Sequence, residues 1–524
     1  MEDIVTTLAS ATGKSPGILS GLRVLFIPKN SRAGYFRSFL KVAQPNYNWR
    51  IDVVTPARDA SAWQGIADNF VATPDFAQVQ ALEKDRSASN ALDAFITSCE
   101  RSSGVSAGRI LLAGERDLGR GFSWTNFHWF HDETARQAMA DNAAPMRILR
   151  RIFAFARATL ESSGPDLVLA GEWANPLCFA FSLAARQMGI PCAVNRPSKI
   201  WSGRCYWTAA QSMYNEAARG AIEALREKDV AVSEHAKNRI AEFRDTPATL
   251  GYVKQNWNAL DQRGWLAEHI ELARMLGAQI LHRLQRRQGP PPKPALRLLW
   301  DFYRRAYLRV RQASFFHRLS EEELRSKRYI FMAMHKDPEQ ALNYQAPFWS
   351  NQYNTVSLLS SVLPDGCGLL VREHRNNRGR RPTRYYKELR RLPGVLLIDG
   401  LDDQFKYIRN AELIVTENAS SGWEGLMLGR RVIALDESFY GSAGLARRIP
   451  VPENLASVVI EMLEEPPVSD ADAHDRALGW LLDAEWQTTA PVDEHDYRET
   501  LVLLGDVVAA APTRPSHQDA LATA

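Results

Sequence analysis

The stretch AELIVTENASSGWEGLMLGRRVIALD, residues 411–436, decides the fold. An apolar run, AELIVTE, ends at Glu417 and passes into a small polar loop, Asn418-Ala419-Ser420-Ser421-Gly422. A helical stretch follows, closes at Gly429, and gives way to a second apolar run, RVIALD. Two short apolar runs joined by a helix-length spacer are the signature of a βαβ unit in a parallel sheet. Working upstream, the alternation recurs as YIFMAMH (329–335), a helix over 351–363, GLLVREH (368–374), a helix over 385–392 and VLLID (395–399). These residues predict a doubly wound α/β unit over 328–470.

The first part of the chain carries the same pattern. LRVLFIP (22–28), the Gly-containing amphipathic stretch 29–43 and WRIDVVTP (49–56) are followed by RILLAG (109–114), DLVLAGE (166–172), a helix over 176–189 and PCAVN (191–195). All of RILLAG, DLVLAGE and PCAVN read as strands, which predicts a first α/β unit over 21–215. Between the two units, 216–327 reads as helical, with Ala221–Lys228 and 264–287 broken from ALRLLWDFYRRAYLRVRQ (295–312) by the linker GPPPKP (289–294). From Arg283 to Arg311 nine basic residues accompany one acid, Asp301. Residues 471–510 read as C-terminal helices, and 1–20 and 511–524 as flexible ends.

Composition narrows the function. The 524 residues are 45% apolar and 24% charged with a net charge of +4. That balance excludes a disordered chain, a collagen-like fibre and a small disulfide scaffold, and the charge gives no reason to expect nucleic acid as a partner. Cys99, Cys178, Cys192, Cys205 and Cys367 are scattered and odd in number, as expected of reduced thiols in the cytosol. The start shows no basic segment followed by an apolar one, and no apolar run approaches the ~18 residues of a membrane span. The expected location is cytoplasmic.

Residues at strand carboxyl ends are the candidates for chemistry, because ligands of open parallel sheets bind there. Ser420, Ser421 and Gly422 begin a helix whose free N–H groups suit a phosphate; equally, Ser421-x-x-Glu424 has the spacing of a capping box that merely closes the helix end. Arg372, Glu373 and His374 follow one strand and Arg375, Arg378, Arg380 and Arg381 come next, a cluster suited to a diphosphate or to solvent. His335, Lys336 and Glu339 follow another. In the first unit Glu172 is a candidate base or nucleophile, and Arg196 and Lys199 are candidate acceptor contacts. His128 and His131 have spacing that permits a metal on a helix, without a third ligand in the pattern. No P-loop, G-x-G-x-x-G, G-x-S-x-G or H-E-x-x-H is present.

Taken together, residues 329–447 resemble the C-terminal half of the bacterial capsule polysaccharide biosynthesis family, which includes the capsule-lipid Kdo transferases. The matching pieces are His335-Lys336-Asp337-Pro338-Glu339, Gln352, Leu363-Pro364-Asp365-Gly366, Val371-Arg372-Glu373-His374, Tyr386, Pro393-Gly394-Val395, Ser420-Ser421-Gly422-Trp423-Glu424-Gly425, Gly429-Arg430-Arg431-Val432 and Phe439-Tyr440. The chain departs from the family at Arg375 (usually Pro), Arg372 (Lys) and Arg430-Arg431 (Lys-Pro).

The resemblance implies a GT-B-like fold: two Rossmann-like domains facing a cleft, the acceptor on the first, the donor on the second, and no essential metal. By the same resemblance His374, Ser420 and Ser421 would hold the donor phosphate and Glu424 the nucleotide ribose. His335, Glu339, Glu373 and Gly422 complete the expected donor site. The expected activity is transfer of a sugar from a CMP- or UDP-linked donor, with no other cofactor, to a capsule or other surface glycan or its lipid-linked precursor. Arg372 and His374 are then the charge-stabilising residues, and Glu172 the base or nucleophile. The segment 283–311 is expected to meet the inner membrane surface or to pack with a solvated arginine face. A nucleotide-sugar 2-epimerase and a non-catalytic glycan assembly or export subunit remain alternatives.

Overall fold

The computed structural model describes residues 16–28, 32–74, 76, 86–113, 143–171, 175–209, 214–250, 269–270, 272–274, 276–277, 280, 295–337, 339, 341–464, 471–492 and 497–511. They fall into two compact units. One holds the described chain up to Ala218 together with that from Glu485 onward, and the other holds Arg219–Ala484.

The first unit is built on β1 (Arg23–Ile27), β2 (Arg50–Thr55), β3 (Asn69–Ala72), β4 (Leu167–Ala170), β5 (Cys192–Pro197) and β6 (Arg204–Ala209). The order β3-β2-β1-β4-β5 is parallel throughout; β6 runs antiparallel to β5, and a short strand Ala490–Pro491 runs antiparallel to β6. Val24–Ile27 and Leu167–Ala170 are buried along their whole length and pair residue for residue, as central parallel strands covered on both faces require. Helix Ala33–Tyr47 turns Phe36, Phe39, Leu40 and Ala43 inward, one stripe at helical spacing. Helix Pro176–Gln187 starts at Asn175, whose side chain accepts from Cys178 N, with Pro176 in the first turn.

Three expectations need correction here. RILLAG is a helix, Ala107–Ala113, because Glu100 Oε1 accepts from Ala107 N at 2.7 Å and Ser106 Oγ from Arg109 N at 3.2 Å, which starts a turn where periodicity alone was ambiguous. The N-terminal flexible segment ends earlier than residue 20: Pro16–Leu19 forms a 3-10 turn and Leu19 is fully buried under Trp49. Finally, β3, β6 and the strand at 490–491 lie where no strand is expected from the sequence.

The second unit is built on β7 (Arg328–Ala333), β8 (Cys367–Arg372), β9 (Val395–Ile398), β10 (Leu413–Thr416), β11 (Arg431–Ala434) and β12 (Ala446–Arg448). All are parallel, in the order β9-β8-β7-β10-β11-β12. That is the Rossmann order, reversing direction between β7 and β10. Helices Glu234–Asp245 and Ala295–Gln312 belong to this unit: Arg244 Nε donates to Met427 O at 3.0 Å, and Gln312 Nε2 to Arg381 O at 2.9 Å. The described part of the helical region 219–327 thus belongs to the second unit, and helix Arg498–Ala510 packs in the core of the first. Both units are Rossmann-like α/β bodies, the pair implied by the resemblance.

Candidate functional site

Ligands in such a sheet bind beyond the carboxyl ends of the strands that flank the reversal, here β7 and β10. Sheet pairing runs slightly past the strands: Met334 N donates to Arg372 O at 2.9 Å, Glu373 N to Ile398 O at 3.1 Å and Asp436 N to Glu417 O at 3.1 Å. The next residues, His335, His374 and Asn418, therefore leave one common rim.

His335 is fixed there by its backbone. Its N–H donates to Gln352 Oε1 at 2.7 Å, and its carbonyl accepts from Gln352 Nε2 (3.3 Å), Asn377 Nδ2 (3.1 Å) and Arg381 (3.3 Å). The imidazole lies between two carboxylates, Nδ1 being 3.4 Å from Glu339 Oε2 and Nε2 3.7 Å from Glu417 Oε2. Glu417 is fully buried, and neither of its carboxylate oxygens accepts a hydrogen bond among the described residues. Burial raises its pKa, a shift opposed by His335. Among the described residues no group of His, Cys, Asp and Glu is arranged to hold a metal ion.

On the β8 side, His374 accepts through Nδ1 from Asn376 N at 3.1 Å. Burial, chiefly, drives its pKa down to about 3; His335, Arg372 and Lys336 push the same way and Glu339 the other. His374 is accordingly neutral with its proton on Nε2, so the charge stabilisation expected of it from sequence would come from a hydrogen-bond donor and not from a cation. Arg372 turns its guanidinium to Gly400 O (2.7 Å), Asp402 O (3.1 Å) and Gln404 Oε1 (3.1 Å). Gln404 in turn donates to Glu424 Oε2 at 2.8 Å, while Glu424 Oε1 is buried and makes no hydrogen bond among the described residues. Burial pushes the Glu424 carboxyl up to about 8, against Arg372 and Gln404. Arg372 thus acts on Glu424 by its charge and also holds Gln404, which donates to it.

Glu373 is part of a closed network: it accepts from Tyr386 Oη at 2.7 Å and His374 N at 2.6 Å, and pairs with Arg381 at 3.1 Å. Arg381, which the sequence leaves open to a diphosphate or to solvent, is fully buried. Helix Ser420–Met427 begins after Ala419, which offers no side-chain cap. The capping box is absent because the helix starts before Ser421, which sits in its first turn and not at the cap, and Glu424 is turned to Gln404. Ser421 Oγ is buried with no hydrogen-bond partner among the described residues. Gly422 faces the fold: a Cβ there would lie 2.1 Å from Tyr440 Oη.

The rim thus brings together His335, Glu339, Arg372, His374, Glu417 and Glu424 with the uncapped helix start at Ser420 and Ser421. Sequence reasoning missed Glu417 and Gln404; the strand-end position of Glu417 in AELIVTE was the available signal. In the first unit, Arg196 lies inside β5, paired with Tyr206 of β6, and Lys199 in the turn that follows. Arg32, after β1, donates to Asn195 O at 2.9 Å and Asn195 Oδ1 at 2.7 Å. Glu172, His128 and His131 lie outside the described residues.

No family model and no curated protein matches the sequence. Solved structures do. The chain is similar to KpsC, a β Kdo 2,7 transferase of Thermosulfurimonas dismutans, at 11% identity over 62% of this chain and 79% of that one, with a TM-score of 0.29. It is also similar to the UDP-GlcNAc 2-epimerase of Neisseria meningitidis bound to UDP-GlcNAc (12% identity, 96% and 100% covered, TM-score 0.25). A third is the glycotransferase of kitacinnamycin (15%, 94% and 99%, TM-score 0.24). With TM-scores this low, the fold assignment rests on the strand order of the two sheets.

Proposed function

We propose that the chain is a glycosyltransferase that moves a sugar from a nucleotide-sugar donor to a capsule or other surface glycan or its lipid-linked precursor, on the cytoplasmic side, with no cofactor of its own. The observation that carries the reading is the set of buried polar atoms at the β7–β10 reversal that make no hydrogen bond among the described residues: the carboxylate oxygens of Glu417, Ser421 Oγ and Glu424 Oε1, around an uncapped helix start. Buried polar atoms without partners are costly unless a ligand completes them. Helix N–H groups at Ser420 and Ser421 suit the donor phosphate, and the His374 Nε2–H adds a donor without adding charge. Glu424, neutral below about pH 8, can both donate to and accept from a ribose hydroxyl. Catalysis would come from positioning and from stabilising the leaving phosphate.

The test is a thermal-shift panel with CMP, UDP, GDP and dTDP, each with and without a sugar, repeated on His374→Ala. A ligand at a hundred times its Kd adds about 2.7 kcal/mol to the native state, so one nucleotide should raise the melting temperature in the parent and much less in the variant. No response to any nucleotide by the folded protein would refute the reading in favour of a non-catalytic assembly role. Nucleotide release that does not depend on an acceptor glycan would favour an epimerase.

A further inference from the structure

Helix Ala295–Gln312 presents an outward face that the rim does not use. Trp300, Tyr303, Tyr307 and Val310 are 67%, 53%, 57% and 79% exposed. Their spacing of three, four and three residues places them on one stripe. The opposite face is docked on the second unit. Leu308 is buried, Gln312 Nε2 donates to Arg381 O at 2.9 Å, and Arg305 Nε donates to Arg378 O at 3.3 Å. Gly379 comes so close that a Cβ on it would meet Arg305 O at 2.5 Å. The helix is therefore held in one rotation, and the stripe is a fixed feature of the surface.

Arg304 and Arg311 run along one edge of that stripe. Arg311 is exposed, donates to Tyr307 Oη at 2.7 Å and lies over the same ring. The helix carries five arginines against one acid, Asp301.

We propose that this stripe docks the protein on an anionic lipid surface, with Trp300, Tyr303 and Tyr307 entering the headgroup boundary and Arg304 and Arg311 meeting lipid phosphates. Side chains with an apolar ring and a polar tip are favoured at headgroup depth, where the ring leaves water and the indole N–H or hydroxyl does not. A row of arginines beside them supplies attraction to anionic lipid. A second copy packed helix to helix would instead set these arginines against their own copies across a symmetric interface, like charge on like.

The proposal stands apart from the transferase reading, because its test measures binding alone. The full chain is co-sedimented with phosphatidylcholine vesicles and with vesicles that also contain phosphatidylglycerol, at low and high salt. Trp300→Ser/Tyr307→Ser and Arg304→Gln/Arg311→Gln are run beside the parent. Binding is expected on the anionic vesicles only, weakened by salt and by roughly fivefold for each arginine removed. It should be abolished in the aromatic variant while circular dichroism and melting temperature stay at parental values. Absence of binding to both vesicle types, or binding unchanged in both variants, overturns the proposal. So does a dimer that the aromatic variant loses, without vesicle binding, since that assigns the stripe to a second copy.

Discussion

Glu424 sets folding against binding at a single carboxyl. Its pKa stands at about 8 in the folded chain against an ordinary 4.5, first because of burial. Between those values the unfolded chain gives up the proton that the folded chain keeps, so stability falls as pH rises, by about 1.4 kcal/mol per pH unit. Glu424→Gln removes that loss. The variant should be more stable than the parent by about 3 kcal/mol near neutral pH, with the gap closing as pH falls to the ordinary carboxyl value. Urea denaturation at a series of pH values measures this, and coincident midpoints at neutral pH would mean an ionised Glu424. His374 has the opposite sense. With a folded pKa of about 3 against 6.5, it refuses a proton that the unfolded chain accepts, so its contribution is intact above 6.5 and declines as pH falls towards 3. Two-bond nitrogen–proton NMR spectra should show the Nε2–H tautomer unchanged across the upper part of that window; an imidazolium signal near pH 5 would defeat the assignment. Neither shift is legible in sequence, which marks both residues as strand-end polar groups but carries no measure of desolvation. The same limit explains Glu417, visible as a strand-end acid but indistinguishable there from any other.

At the scale of elements, the helix Ser420–Met427 shows how one glycine is read two ways. Sequence places Gly422 in a phosphate-binding loop. In the structure a Cβ at Gly422 would meet Tyr440 Oη at 2.1 Å, Tyr440 Cζ at 2.6 Å and Thr416 Cγ2 at 2.9 Å. Tyr440 also donates to Ala419 O at 3.1 Å, tying the start of the helix to the segment after β11. Gly422→Ala should therefore cost about 1–3 kcal/mol through overpacking, and much less in a Tyr440→Ala background. A full cost in both backgrounds, read from denaturation midpoints, would show that Tyr440 is not the obstacle. Element identity was most legible where apolar runs were long or repeated: β1, β2, β4, β5 and β7–β11 all overlap runs marked in the sequence, with ends that differ by at most two residues for β5, β7 and β8. It failed at Ala107–Ala113, where side-chain acceptors from Glu100 and Ser106 chose helix over strand. Edge strands such as Asn69–Ala72, exposed along most of its length, bury too little to leave an apolar pattern.

At the scale of the whole chain, the first unit is closed by residues far away in sequence. Ala490–Pro491 pairs with Cys205 and Arg204 of β6, and Tyr497, Leu501 and Leu504 enter the core formed by Phe26, Phe39, Trp49 and Trp207. Tyr497 packs edge-on against Tyr35 and Phe39 at 5.8 and 5.6 Å. In sequence, residues 471–510 read as appended helices, because pairing across such a separation leaves no local signal. A chain ending at Gln487 would lose three buried side chains worth roughly 1.5–3 kcal/mol each, about 5–9 kcal/mol in all, which is comparable with the whole stability of a typical domain. Hydrogen exchange read by mass spectrometry tests this on the truncated chain. Amides of β1, β4, β5 and β6 should lose protection, while those of β7, β8 and β10, which belong to a unit that ends at Ala484 and share a core cluster of residues between 315 and 463, keep it. Under the transferase reading, the truncated chain should also keep its melting response to nucleotide, because the rim belongs wholly to the second unit. Protection retained in β1, β4, β5 and β6 would mean that the first sheet is stable without its C-terminal strand and helix. Loss of protection in both sheets together would mean that the two units unfold as one.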